Sequence, residues 1–258
     1  MRNPAAADRG VSEIIGFVLV FSLVLGTITI VYVGGISGLD DARNAERVNN
    51  AERAFDVMAN NFQQMGRGDA PNRATEIKLA DAQLTTSGNR VISVNGNELG
   101  SAANANPVAI RYDAPGDTRL VYEYGAVIRV DGDSAIMRRE PDFLFMSDTI
   151  VIRYISLRGA GQGLGGTAST ALVRAEKKQS RVLVNRGSTT DLEISIQTRP
   201  ERATVWTDYL TDHMSTATGT TPSCTETTMG SDTVKVTCTG GSVSELAVSR
   251  VTIDVTLT

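Results

Sequence analysis

Cysteine, histidine and lysine are scarce in this chain of 258 residues. Two cysteines and one histidine leave little material for a metal centre or for thiol or imidazole catalysis. Lys78, Lys177, Lys178 and Lys235 are the only lysines among 25 basic residues, so the other 21 are arginine. The sequence has no Asn-x-Ser/Thr acceptor site and no G-x-S-x-G nucleophile motif. Excess positive charge is missing too. The formal net charge is −4. Residues 40–258 hold 27 acids (29 less Asp8 and Glu13) and 23 bases (25 less Arg2 and Arg9), again −4. That balance argues against a nucleic-acid surface. No cofactor is expected, and no enzymatic activity.

Charge is absent altogether from Ile14 to Leu39. A helix crossing a hydrocarbon core of about 30 Å needs roughly 20 apolar residues, and Ile14 to Val33 supplies them. Gly16, Gly26, Thr27 and Thr29 lie inside, as membrane helices tolerate. A charge-free run of this length is hard to place in a soluble domain of this size. Arg2 and Arg9 precede it and Asp40-Asp41 follows, so the positive-inside rule sets the N-terminus in the cytoplasm and residues from Asp40 outside. A removable secretory signal has an apolar region of only about 7–15 residues and a small-residue cleavage loop. Here the run is longer and continues into a helical pattern.

The junction itself reads Arg9-Gly10-Val11-Ser12-Glu13-Ile14-Ile15-Gly16. A polar leader ending in Arg-Gly, followed by Val-Ser-Glu-Ile-Ile-Gly and an apolar helix, resembles the class III signal of archaeal, above all haloarchaeal, type IV pilin-like proteins. The resemblance implies cleavage by a membrane prepilin peptidase between Gly10 and Val11. It also implies retention of the apolar helix and partnership with other pilin-like subunits. The motif covers about Arg9 to Gly16, and the pilin-like layout extends to about Met65. Bacterial type IV pilins place a Glu at the fifth mature position, whereas Glu13 would be third. An ionised acid at the bilayer centre costs about 2.5–3.5 kcal/mol, and less at the edge. Glu13 can pair with a neighbour's Val11 amine, or sit hydrated near a helix start where the dipole favours it.

Beyond the span, Gly34-Gly35 and Gly38 weaken the helix by roughly 1 kcal/mol each relative to Ala, which suits a hinge or simple tolerance. Asp40 to Met65 then shows apolar residues at Val48, Ala51, Phe55, Met58, Phe62 and Met65. That 3-4-3-4-3 spacing predicts an amphipathic helix. Its stripe packs either on this chain's own sheet or, through Val48, Phe55 and Phe62, on neighbouring helices in an assembly. Gly66-Arg67-Gly68 and Pro71 end it.

From Thr75 the period becomes two. Short strands are expected around Ile77–Leu79, Val91–Val94, Val108–Tyr112, Leu120–Val130, Ala135–Met137, Thr149–Leu157, Leu172–Ala175, Ser180–Val184, Leu192–Thr198, Val234–Cys238 and Leu246–Leu257. Asn95-Gly96 and Asp131-Gly132 read as hairpin turns. Glu201 to Met214 breaks the pattern with helical spacing, and Thr216 to Ser223 reads as a loop. The fold class is α+β: a long N-terminal helix, then a mainly antiparallel sheet or sandwich with one short helix. The expected organisation is a leader over 1–10, an anchor over 11–39, a stalk helix over 40–66 and an extracytoplasmic β-rich domain over 67–258.

Three motifs bear on chemistry. Gly161-Gln162-Gly163-Leu164-Gly165-Gly166 fits G-x-G-x-x-G, but strand-like sequence follows it instead of a helix, so it reads as a flexible loop. Asp131-Gly132-Asp133 is too short for a calcium loop and reads as a turn. His213 has no metal-ligating neighbour and reads as an ordinary helix residue. Cys224 and Cys238 flank Gly230-Ser231-Asp232 symmetrically. A hairpin there sets them opposite, with Cα atoms about 4.5–5.5 Å apart, within reach of a disulfide; in that register Glu226 faces the apolar Val236. Free thiols, or a metal held by two lone cysteines, are the competing readings. The function expected is a pilin-like cell-surface subunit. The large, irregular head fits a minor subunit better than a major one. The alternative is a membrane-tethered binding or adhesion domain that forms no filament.

Overall fold

The computed structural model describes residues 7–88, 91–95, 97–98, 107–159 and 161–258. Its first element, α1 (Ala7–Arg67), is a helix of 61 residues. The sixteen strands follow in chain order: β1 (Asn72–Lys78), β2 (Ala82–Ser87), β3 (Ile92–Val94), β4 (Asn97–Glu98), β5 (Ala109–Asp113), β6 (Thr118–Glu123), β7 (Ala126–Asp131), β8 (Ser134–Arg139), β9 (Phe143–Met146), β10 (Thr149–Arg158), β11 (Gln162–Gly166), β12 (Thr170–Thr189), β13 (Glu193–Thr198), then β14 (Ser223–Thr228), β15 (Val234–Thr239) and β16 (Val243–Leu257). Helix α2 (Pro200–Thr218) separates β13 from β14. The fold is α+β, with mainly antiparallel sheets behind one long apolar N-terminal helix. Two units make up the chain, residues 1–46 and the head, residues 47–258.

Three sheets build the head. The first has order β1-β12-β16-β10-β9, the second β11-β2-β5-β6-β7-β8, and the third β14-β15-β13-β3-β4. The β10–β16 pair is parallel, running from Thr149↔Glu245 to Arg158↔Asp254. Strand β12 joins the two segments expected around Leu172 and Ser180 into one strand of 20 residues. Register shifts from Lys177 onward let it follow β16.

The stripe of α1 is core. Val48, Ala51, Phe55, Met58, Phe62 and Met65 are all buried, together with Ile77, Leu84, Tyr112, Tyr122, Val173 and Ile253 from the first two sheets. Phe55 meets Tyr112 edge-on with ring centres 6.3 Å apart, and Phe62 meets Tyr122 at 5.0 Å. Burying a Phe side chain stabilises by roughly 1.5–3 kcal/mol, so this half of α1 is a main support of the head. Its polar residues are tied down as well. Glu52 pairs with Arg129 at 3.0 Å and Arg138 at 3.4 Å, and Asn61 donates to Thr75 Oγ1. The helix ends where Gly68 takes φ 99°, its N–H and that of Asp69 both reaching the Gln64 carbonyl, an arrangement that favours glycine.

A second core joins the third sheet, α2, β7 and β10. It holds Ile128, Ile152, Ile194, Trp206, Leu210, Val236 and Cys238. Helix α2 begins at Pro200 after an extended Arg199 and stops at Gly219, φ 69°. It therefore runs four residues past the expected Met214, taking in part of the expected Thr216–Ser223 loop. Thr211, Thr216 and Thr218 hydroxyls bond carbonyls four residues back, which satisfies the hydroxyls inside the helix.

The segment from Leu120 to Val130 folds back on itself at Tyr124-Gly125, giving β6 and β7 in place of one long strand. Gly125 takes φ 99° and Tyr124 φ 56°. A tyrosine resists that conformation. It is held by its hydroxyl, which donates to the Gln197 carbonyl at 2.6 Å and lies 3.2 Å from that of Val91. The expected hairpin at Asn95-Gly96 is present as the Val94↔Asn97 pair; Gly96 lies outside the described residues.

Candidate functional site

The N-terminal half of α1 presents its apolar residues outward. Ile14, Phe17, Leu19, Ile30, Val31 and Tyr32 are each more than half exposed. Thr27 and Thr29 return their hydroxyls to the carbonyls of Val24 and Leu25, so these two donors are met within the helix itself. Gly34, Gly35 and Gly38 are helical. Among the described residues α1 is the one helix long and apolar enough to cross a membrane. Gly10, Val11 and Glu13 lie in its first turns; the side chains of Val11 and Glu13 lie outside the described part of the structure.

Val48, Phe55 and Phe62 were candidates for packing either on this chain's own sheet or on neighbouring helices. All three are buried against the head's own sheets, so that face of the helix is already filled. The physical reason is that a two-position apolar stripe serves a sheet as well as it serves another helix.

Cys224 and Cys238 are bonded, with S–S 2.07 Å and Cα atoms 4.0 Å apart. They are directly opposed in the β14–β15 register, as are Glu226 and Val236. Glu226 avoids the apolar neighbour by accepting a hydrogen bond from Thr207 on α2 at 2.9 Å. The bond thus fastens the edge strand β14 beside that helix.

The glycine-rich run at 161–166 is not a loop. Residues 162–166 form β11, paired antiparallel with β2. Gln162 holds it there: its amide donates to the Val255 carbonyl and its oxygen accepts from the Leu257 N–H. Asp131 ends β7 at the turn into β8, where the Arg129 guanidinium and then the Thr118 hydroxyl bond its carboxylate and hold its pKa below the usual range. No group of three or more His, Cys, Asp or Glu side chains is arranged to hold a metal among the described residues.

Sequence reasoning missed a buried charge cluster. Glu123, at the end of β6, and Arg202, on the first turn of α2, are each 1% exposed. Glu123 Oε1 accepts from Arg202 Nε at 3.1 Å, Trp206 Nε1 at 2.9 Å and Thr198 Oγ1 at 2.7 Å. Oε2 accepts from Arg202 Nη2 at 3.1 Å. Burial alone would lower the Arg202 pKa, but the charge and hydrogen bonds of Glu123 raise it instead. Both carboxylate oxygens are satisfied within the protein, so the pair's chemistry is that of a structural bolt between α2 and the second sheet. Glu123 and Arg202 are 79 positions apart, and no local signal marks that they meet.

A groove of about 270 Å³ opens between α2 and β8. Met137, Val205 and Tyr209 contribute apolar surface, while Glu140, Asp208 and Asp212 supply carboxylates. His213 closes one end, its Nε2 3.5 Å from Glu140 Oε2 and its ring 4.4 Å from that of Tyr209. The 3.6-residue period puts Val205, Asp208, Tyr209 and Asp212 on one side of α2, a pattern readable in the sequence once the helix is placed. That β8 lies opposite is not.

With these sites in view, comparison with known families is informative at one level. The sequence model of a family of unknown function, DUF7289, matches residues 9–256. This chain belongs to that family. No curated protein and no solved structure matches it. The DUF7289 match runs through the apolar segment as well as the head, beginning at Arg9 of the Arg-Gly junction. For a DUF7289 chain, then, the apolar segment, the stripe and the groove all fall inside the family region.

Proposed function

We propose that the chain is a membrane-anchored, type IV pilin-like subunit of the cell surface, a minor one, with its head outside the membrane. The observation that carries the reading is the Arg9-Gly10-Val11-Ser12-Glu13-Ile14-Ile15-Gly16 junction set directly against an exposed apolar helix. A prepilin peptidase would cut after Gly10, leaving Val11 as the new N-terminus and Glu13 close enough to pair with a neighbour's amine. The anchor is retained because the same helix continues into the head. N-terminal sequencing of protein from native membranes tests this. The expected first residue is Val11, and Gly10→Trp should leave residues 1–10 attached. An intact leader in the unaltered protein, or a cut after Leu39, would overturn it.

One observation favours the second reading, a tethered adhesion or binding domain. The stripe that could have joined neighbouring helices is consumed by the head's own core. Subunit contacts would then rest on α1 up to Glu46 and on the head surface. Surface filaments that carry this chain's epitope favour the subunit; filaments free of the epitope, with the chain confined to the membrane, favour the tether.

A further inference from the structure

We propose that strand β9 is a dimerisation edge, where two copies of this chain pair antiparallel with Phe145 on the two-fold axis. The inference holds for either reading of the anchor.

Six strands end the three sheets: β1 and β9, β11 and β8, β14 and β4. An open edge invites pairing with another chain, and proteins guard theirs with charge, proline, bulges or brevity. Such guards stand on most of these. Strand β1 carries Arg73, Glu76 and Lys78, β8 carries Arg138 and Arg139, and β14 carries Glu226. Strand β4 has only two residues, and the glycines of β11 weaken it as a template. Strand β9 reads Phe-Leu-Phe-Met, without charge, proline or glycine. Leu144 and Met146 on one of its faces are 48% and 45% exposed. Val151, opposite Leu144 on β10, is half-buried, so the apolar surface continues inward from the edge.

The hairpin settles which backbone groups face outward. Strand β9 turns into β10 through two residues, Ser147 and Asp148, with Met146 opposite Thr149. That closing pair exchanges hydrogen bonds, and bonded and non-bonded pairs alternate along an antiparallel ladder. Leu144 and Met146 therefore turn their N–H and C=O toward β10, while Phe143 and Phe145 turn theirs to the open side. Among the described residues no other backbone group bonds Phe143 or Phe145 from that side.

A second copy fits this pattern as it stands. With Phe145 opposite its counterpart, the two exchange hydrogen bonds, and Phe143 of each copy reaches Ser147 of the other. Leu144 of each copy then falls opposite Met146 of the other in the closer, non-bonded pairs, with Cα atoms about 4.5 Å apart. The exposed apolar side chains cover one another. A slip of one residue would bring them to the wrong face. The ends match in charge as well. This register brings Asp148, exposed in the turn, to the Asp142 end of the other copy. There Arg67 and Arg153 share the one carboxylate of Asp142, which leaves positive charge in excess to meet Asp148.

A Leu144→Cys chain and a Met146→Cys chain, produced together in the native host and oxidised in its membranes, test the pairing. Both positions are exposed, and the native cysteines are bonded to each other, so the introduced thiols are the ones available. A dimer joining one chain of each kind is expected, since opposed residues lie within reach of a disulfide. Either chain produced alone should cross-link severalfold less. Its introduced cysteines would stand diagonally, about 7–8 Å apart, beyond that reach. Three results overturn the proposal. One is no dimer from the mixture. Another is as much dimer from either chain alone. The third is an adduct whose mass shows a different protein on the edge.

Discussion

Glu123 shows how one residue can be indispensable without touching a ligand. Removing one partner of a buried ion pair leaves the other charge uncompensated, at about 3–5 kcal/mol. Glu123→Gln should therefore lower the chain's stability by about that much, read as a shift in urea midpoint at constant slope. Glu123→Gln combined with Arg202→Met should recover part of the loss, because no buried charge is then left without its counter-charge and the amide oxygen can still accept from Trp206 and Thr198. A double variant no more stable than Glu123→Gln alone would mean that the remaining donors, Trp206 and Thr198, carry the damage. None of this was legible in the sequence. Glu123, Thr198, Arg202 and Trp206 look like residues of a strand end and a helix face, and only the docking of α2 on β6 turns them into a network. Tyr124 is similar: Tyr-Gly is a poor turn signal, and its left-handed conformation exists because distant carbonyls at Val91 and Gln197 hold the hydroxyl.

At the scale of elements, α1 serves two environments in one helix. Its stripe residues give a sharp contrast with their neighbours: Phe55 is fully buried, while Val57 is 55% exposed. Phe55→Ala should cost about 3–5 kcal/mol, whereas Val57→Ala should stay within about 0.5 kcal/mol. Thermal or urea unfolding of the full chain checks both, and equal small effects would show that the stripe does not support the head. The sequence marked elements where period and punctuation were strong. The span, the stripe, α2 and the turns at Asn95 and Asp131 were readable for that reason. It failed where the signal was spent on something else. In β11 the glycines suggested a loop, because strand propensity measures packing and β11 is held by its edge pairing with β2 and by Gln162. The short β9 has the sequence Phe-Leu-Phe-Met, an apolar run too brief to assign by period. The two pieces of β12 were parted by Glu176-Lys177-Lys178-Gln179, whose charges lie at the register shift and on an exposed stretch where they do no harm. The groove fared likewise: its α2 half was visible as a helix face, and its β8 half depended on sheet order.

The head, residues 47–258, couples its own first and last segments in one core. Residues 48–65 of α1 share a core with Val251, Ile253, Val255 and Leu257 of β16, and β16 is the central strand of the first sheet, between β12 and β10. Anything that removes either end removes core. The parallel β10–β16 pairing adds to this, because the two strands are joined through β11 to β15 and α2 and cannot meet until those have been made. Chains stopped before Val243 should thus be as sensitive to protease as unfolded protein, despite containing nearly all the sequence, while the complete chain resists. A truncated chain that resists equally would show that the first sheet can form without its middle strand.

That arrangement sets a clock on biogenesis. At about 5–20 residues per second, ribosomes take on the order of tens of seconds to make such a chain, and through nearly all of that time the head lacks the strand that completes it. The polypeptide stays open long after its N-terminal helix has been made. The order of residues along the gene would hold the head open until its last strand arrives.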